Sequence, residues 1–368
     1  MKTLRIGLIG AGKWMRWYHL PTIRYLADAQ MVVPAVIWNR TRSKAEELAA
    51  EFPIGSVADS VDDLLTNYEI DGVIIAVSRA SAASMVGAAA LAGIPFLVEK
   101  PPADSLQEAR ELARITTVPN LVAFNRVSTP IMQRVHELLP DVRPYHMSCI
   151  FTRRRRDDPM FVFETGIHAL TNGEALFGTG QLVSSSRDTA GGSGAYWRAT
   201  VEHAASLAAP GGITVDYLFA PWSGRAVERY QLIGPETTVE MFVRQHYAPD
   251  DEERIEISTA IPHGTTIDLN AAGDGGAPAT VWRPGDISEL ERAGYAGQHR
   301  AFYTLLRDPT QNFAGQQSFT ERQFVPDIRK TVELMALAEQ INGGIDPFER
   351  GDHSISAEHG DSESEGSK

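Results

Sequence analysis

Residues 6–21 read IGLIGAGKWMRWYHLP: a short apolar strand, then Gly10-Ala11-Gly12, then the start of an amphipathic helix. In a dinucleotide-binding turn of the form G-x-G-x-x-G, the first glycine makes the tight turn. The second lets a phosphate approach the backbone, and the third permits close helix–strand packing. Met15 stands at the third position. A flexible thioether there changes how the helix packs, while the phosphate contact is left in place. The helix N-terminus still offers unpaired N–H groups to a pyrophosphate. Gly10, Gly12, Lys13, Trp14 and Met15 are therefore assigned to a nucleotide-binding turn.

Outward from this turn, strand-like runs alternate with helix-like ones. LRIGLIG, MVVPAVIW, GVIIAV, PFLVEK and LVAFN are separated by stretches with apolar residues at helical spacing. This alternation predicts a doubly wound parallel sheet that binds ligands at the carboxyl ends of its strands. The second strand ends in Asn39-Arg40, with Lys44 close behind. An acidic residue there would bind the ribose 2′-hydroxyl of NAD, whereas an arginine accommodates the 2′-phosphate of NADP. Neutral Asn39 beside Arg40 and Lys44 points to NADP(H) in preference to NAD(H).

The pattern changes after about Val127. Helix-like PIMQRVHELL and ETGIHALTNGEALFG flank an arginine-rich run, and a long β-rich region follows, broken by Gly/Pro turns. Two further helices close the ordered chain. The domains expected are an α/β dinucleotide-binding unit over 1–126 and an α+β unit over 127–345 with a large, mostly antiparallel, open-faced sheet. An acidic disordered tail is expected over 346–368. A net charge of −13 argues against nucleic-acid or anionic-membrane partners. The single cysteine suits a reducing cytoplasm, and no apolar run reaches membrane-span length. The apolar N-terminal run is short and glycine-broken, so it is expected to be a first strand and not a leader.

VEKPPADSLQEARELA makes the expectation specific. Together with GLIGAGKWMRWYHLP, LVAFNRV and ETGIHALTNGEALFG, it resembles the Gfo/Idh/MocA family, the glucose–fructose oxidoreductase and inositol dehydrogenase relatives. The resemblance extends over nearly the whole ordered chain and implies a two-domain NAD(P)-dependent oxidoreductase of sugars and cyclitols. It places Lys100 of Glu99-Lys100-Pro101 beside the nicotinamide, facing a carboxylate and a histidine of the second domain. It also implies cofactor contacts from Val77, Ser78, Glu99, Lys100 and Asn125, and a substrate-side role for Arg126.

The residues carry part of this on their own. Pro101 holds Lys100 extended at a strand end, where desolvation and nearby cations lower a lysine pKa toward acid–base work. Glu164 and His168 are four apart, so on a regular helix they share a face, and the carboxylate would orient the imidazole and favour its protonated form. The family pattern has aspartate where Glu164 stands and a further carboxylate where Thr171 stands; Val77-Ser78-Arg79 departs as well. On an extended strand Arg153 and Arg155 share one face. They either select an acidic substrate group or pair with Asp157 and Asp158 on the sheet surface.

The expected activity is hydride transfer between NADP(H) and a sugar, cyclitol or related polyol or keto derivative, with Lys100, His168 and Glu164 catalytic. Lys100, Arg126, Arg153, Arg155, Glu164 and His168 are the expected substrate contacts, with no metal. Two alternatives stay open: a glycosidase of the same family using a tightly held NAD, and a non-catalytic NADP-binding regulator. The resemblance implies that the open sheet face, which would otherwise expose a large apolar patch, pairs copies into a dimer or tetramer.

Overall fold

The computed structural model describes residues 2–154, 156, 160–189, 194–244, 252–259, 280–310 and 325–343. The expected tail over 346–368 and the substrate contact assigned to Arg155 lie outside the described residues.

Six strands form the first sheet: β1 (Leu4–Ile9), β2 (Val32–Trp38), β3 (Ser56–Val57), β4 (Gly72–Ile75), β5 (Phe96–Glu99) and β6 (Asn120–Ala123). Their order is β3-β2-β1-β4-β5-β6 and every pairing is parallel. Strand β4 is buried at every position, which is why it reads as a continuous apolar run without alternation. The connections carry α1 (Leu20–Gln30), α2 (Arg42–Glu51), α3 (Val61–Asn67), α4 (Arg79–Leu91) and α5 (Leu106–Ile115). Strand order reverses between β1 and β4, so their carboxyl ends open a crevice.

The second sheet contains β7 (His146–Thr152), β8 (Gly180–Thr189), β9 (Ala195–His203), β10 (Ile213–Ala220), β11 (Val227–Ile233), β12 (Thr237–Phe242), β13 (Arg254–Thr259) and β14 (Thr280–Trp282). Its order is β14-β13-β12-β11-β7-β10-β9-β8, and only β7–β10 pair in parallel. Alternation sets one face inward: Val215, Tyr217 and Phe219 of β10 are buried while Asp216 is exposed. Five helices accompany it: α6 (Pro130–Val142), α7 (Ile167–Phe177), α8 (Glu289–Arg292), α9 (Tyr295–Arg307) and α10 (Ile328–Ile341). All 11 residues of α7 are buried, its polar members His168, Thr171, Asn172 and Glu174 included.

The outer face of this sheet corrects one expectation. It carries charge pairs rather than a large apolar patch: Arg198–Asp188, Arg254–Glu256 and Arg229–Glu240. Half-buried Phe242 lies under the guanidinium groups of Arg229 and Arg254, 5.1 and 3.8 Å from its ring centre. Ile150 and Val183 are its exposed large apolar residues on β7 and β8. Pairing register sends alternate residues of each strand to this face, and Arg198, Arg229, Glu240, Arg254 and Glu256 place charge on it.

The last helices return to the first sheet. Ala296, Phe302 and Tyr303 of α9 join a core with Leu8, Leu97 and Leu121, while Leu334 and Met335 of α10 share a core with Leu112. Met15 opens a π-helical turn, Met15–His19, ahead of α1. It is fully buried in the core that contains Leu8, Ile37 and Leu48. Restoring the glycine of the turn motif, Met15→Gly, would empty that position. The expected loss is about 3–5 kcal/mol, from the vacated side chain and helical glycine together, read from the urea denaturation midpoint.

Candidate active site

A cleft of about 610 Å³ lies at the carboxyl edge of the parallel sheet. Gly10 and Gly12 from the turn after β1 line it, with Lys13 and Trp14 from the helix start. Asn39 and Arg40 follow β2, Val77 and Ser78 follow β4, and Glu99 and Lys100 end β5. The structure thus gathers ten of the assigned cofactor residues. It also adds Trp38 and the first half of α4, including Ser81, Ser84 and Met85.

The glycines suit a dinucleotide for different reasons. Gly10 has φ of +106°, and a Cβ there would stand 2.2 Å from the Ala76 carbonyl oxygen. A Cβ on Gly12 would meet nothing within 4 Å. The first glycine is needed by the fold, and the second leaves a space that a phosphate can enter. Asn39 is committed to this loop: its Oδ1 accepts from the Ala11 N–H at 3.0 Å and its Nδ2 donates to the Thr41 carbonyl. Its amide braces the turn from inside the cleft lining.

Three assigned cofactor residues lie outside the cleft lining. Met15 is in the core behind the turn, Lys44 is exposed on the first turn of α2, and Asn125 donates to the Ala293 carbonyl at 2.7 Å.

Lys100 sits where the two halves of the chain meet. Its Nζ donates to the Glu164 carbonyl oxygen at 2.6 Å. Burial lowers its pKa to about 8, against the pull of Glu99 and Glu164, and Arg156 and Arg126 push the same way as burial. A neutral carbonyl partner leaves the amine able to lose its proton.

Glu164 and His168 come together with Lys100, but not as the i,i+4 pair expected. Glu164 lies in a second π-helical turn, Val162–Gly166, which precedes α7. The wider turn departs from the regular helical register on which the pair was read. Glu164 Oε1 accepts from Arg79 Nη1 at 2.5 Å, and its Oε2 is 3.7 Å from Arg156. Arg79 also reaches Asp104 at 2.5 Å. The His168 Nδ1 has no hydrogen-bond partner among the described residues. Burial and then the cations Lys100, Arg126, Arg153 and Arg156 hold the imidazole far below its usual pKa. The expectation of a protonated His168 oriented by Glu164 is corrected: the ring is neutral and the carboxylate belongs to Arg79. Thr171, at the family's last carboxylate position, turns its hydroxyl back to the Ile167 carbonyl at 2.6 Å.

The arginine run also departs from strand parity. Strand β7 ends at Thr152, and the backbone N–H groups of Arg153 and Arg156 both bond to the chain leaving β10, at Ala220 and Pro221. Arg153 is buried over the Phe151 ring, and burial lowers its pKa to about 10. It lies 3.7 Å from Glu228, which also holds Arg126 at 2.7 Å. Glu228 itself is 2% exposed. Sequence reasoning missed Arg79, Asp104 and Glu228. For Glu228 a signal was present: it shares inward parity with Tyr230 and Leu232 in VERYQLI.

With this geometry in place, comparison with known proteins is informative. Residues 4–124 match the Gfo/Idh/MocA oxidoreductase family, described by its NAD-binding Rossmann fold. The Saccharomyces cerevisiae protein YMR315W is 31% identical over 149 residues, 39% of this chain and 42% of its own. The chain spans about half the length of the curated relatives it matches. A dehydrogenase from Chromobacterium violaceum superposes with a TM-score of 0.71 at 20% identity, covering 94% of this chain and 95% of that one. An oxidoreductase from Agrobacterium radiobacter, solved with NAD+, L-tartaric acid and magnesium, gives 0.67 at 17% identity over 93% and 97%. These structural likenesses are likenesses of fold.

Proposed function

We propose that this chain, which residues 4–124 make a member of the Gfo/Idh/MocA oxidoreductase family, transfers hydride between a nicotinamide cofactor and a polyol. The substrate class is a sugar, a cyclitol or a related keto derivative. The observation that carries this reading is Lys100: a buried amine at the carboxyl end of β5, in the nucleotide cleft, with its pKa lowered to about 8.

When bound, the cofactor supplies or accepts the hydride. In the oxidative direction neutral Lys100 takes the substrate hydroxyl proton as the hydride leaves carbon; in reduction the ammonium returns it. Neutral His168 hydrogen-bonds without exchanging charge, and Glu164 holds Arg79 and, through its main chain, Lys100. Metal ligation is no part of this scheme. Cys149, a buried free thiol, is consistent with a cytoplasmic setting.

Lys100→Met keeps the stem's bulk and loses the amine. It should leave cofactor affinity near wild type and cut single-turnover hydride transfer about a hundred- to ten-thousand-fold, roughly 3–5 kcal/mol of barrier. Because the base must be neutral, oxidation by the wild type should rise with pH and level off above about 8, while reduction should fall over the same range. Substrate is found by screening polyols and keto-sugars for nicotinamide absorbance change. Turnover near wild type in Lys100→Met would refute the assignment.

The cofactor reading is NADP(H) over NAD(H). With the Asn39 amide committed to the loop, Arg40 is the cationic side chain at the end of β2 that lines the cleft, and no carboxylate stands there to repel a 2′-phosphate. Fluorescence titration should give tighter NADPH than NADH, and Arg40→Ala should narrow the ratio. A preference for NADH would sink the reading.

We also place a self-association surface on the outer face of the second sheet, where Ile150 and Phe242 lie among the charge pairs. Small-angle scattering at micromolar concentration should report at least a dimer, and a compact monomer would overturn this.

A further inference from the structure

Behind Glu99 runs a line of buried polar side chains that the reaction scheme does not use. His19 Nε2 is 3.0 Å from Glu99 Oε1, and His19 Nδ1 is 2.9 Å from His299 Nε2. His299 Nδ1 is in turn 2.9 Å from the Tyr303 hydroxyl. His19, His299 and Tyr303 are all fully buried. They come from the π-helical turn Met15–His19 and from α9, on opposite sides of the sequence.

A neutral His19 gives every bond a direction. A carboxylate only accepts, so the His19 Nε2 carries the proton it donates to Glu99. Burial pushes the Tyr303 hydroxyl up and holds His299 well below its usual pKa, so both are neutral. Tyr303 then donates to His299 Nδ1, and His299 Nε2 donates to His19 Nδ1. One proton per link satisfies every ring nitrogen. The chain does not serve as a path for net proton transfer, because passing a proton to Glu99 would leave a buried tyrosinate at its far end.

We propose that His19, His299 and Tyr303 are positioning residues that hold the Glu99 carboxylate fixed beside Lys100, and so set the charge balance of the proton-transferring amine. The inference rests on the reading of Lys100 as the acid–base group. Around Lys100 stand Glu99 from its own strand, Glu164 from the π-helical turn before α7, Arg126 after β6, Arg156 after β7 and His168 on α7. Glu99 acts on the amine as a negative neighbour and has a supporting donor behind it. Remove the donor, and that carboxylate is released to turn away from the amine. The amine then loses the negative neighbour that raises its pKa.

The test reads Lys100 directly. The full-length protein is labelled with acetic anhydride across a pH series, and acetylation of the Lys100 peptide is followed by mass spectrometry. The expected wild-type midpoint is about 8. His19→Leu should lower it by about one pH unit, the size of a single charged neighbour. His299→Leu should fall between the two, and His19→Gln, which keeps an N–H toward Glu99, should return it near the wild-type value. Glu99→Gln gives the lower limit. Should His19→Leu fail to fold, His299→Leu and Tyr303→Phe carry the test, with Tyr303→Phe giving the smallest shift. Midpoints unchanged from wild type in the folded histidine variants would overturn the proposal. Labelling needs neither substrate nor hydride transfer, so turnover retained by Lys100→Met would defeat the assignment of Lys100 as the acid–base group and leave the labelling result standing.

Discussion

The contact between Lys100 Nζ and the Glu164 carbonyl governs the rest of the site. It joins the end of β5 to the turn that leads into α7, so the amine's position is fixed by a main-chain atom of the other half. A carboxylate partner would have stabilised the ammonium. A carbonyl satisfies a donor while leaving the charge to be settled by burial and the surrounding ions. The Glu164 side chain is thereby free for Arg79, whose guanidinium spans Glu164 and Asp104 and closes the same seam. Main chain and side chain of one residue thus serve two partners across one boundary.

The electrostatics follow from that seam. Arg126 and Arg153 share buried Glu228, while Glu164 lies between Arg79 and Arg156. Both carboxylates are paired with guanidinium groups, and the cations around His168 act against its protonation. An exposed ion pair contributes little, but a buried one strongly penalises the loss of a single partner. The arrangement is accordingly intolerant at Glu228 and more forgiving at Arg156, which is half-exposed.

Much of the architecture was legible in the sequence because burial leaves a periodic trace. The doubly buried strands read as apolar runs, the second sheet as alternation, and the Gly10-Ala11-Gly12 turn as a phosphate-sized opening. Lys100 was legible through Pro101 and its place at a strand end. The side-chain pairing was not. The π-helical turn Val162–Gly166 breaks the four-residue spacing on which the Glu164–His168 pair was read. No composition marks such a turn. Arg79 reaches Glu164 only because α4 and the second half approach each other in three dimensions, which spacing along a chain does not encode. His19 gave no sign either: its partners lie 80 and 280 residues away.

The return of α9 to the first sheet bears on how the chain is made. Phe302 and Tyr303 complete a core whose other members, Leu4, Leu8 and Leu97, leave the ribosome far earlier. Domains ordinarily fold as units in the order of their synthesis. Here the parallel sheet emerges with part of its apolar surface uncovered and waits, through translation of the entire second sheet, for the helix that seals it. That interval is when the nascent protein is most exposed to aggregation and has most need of chaperones.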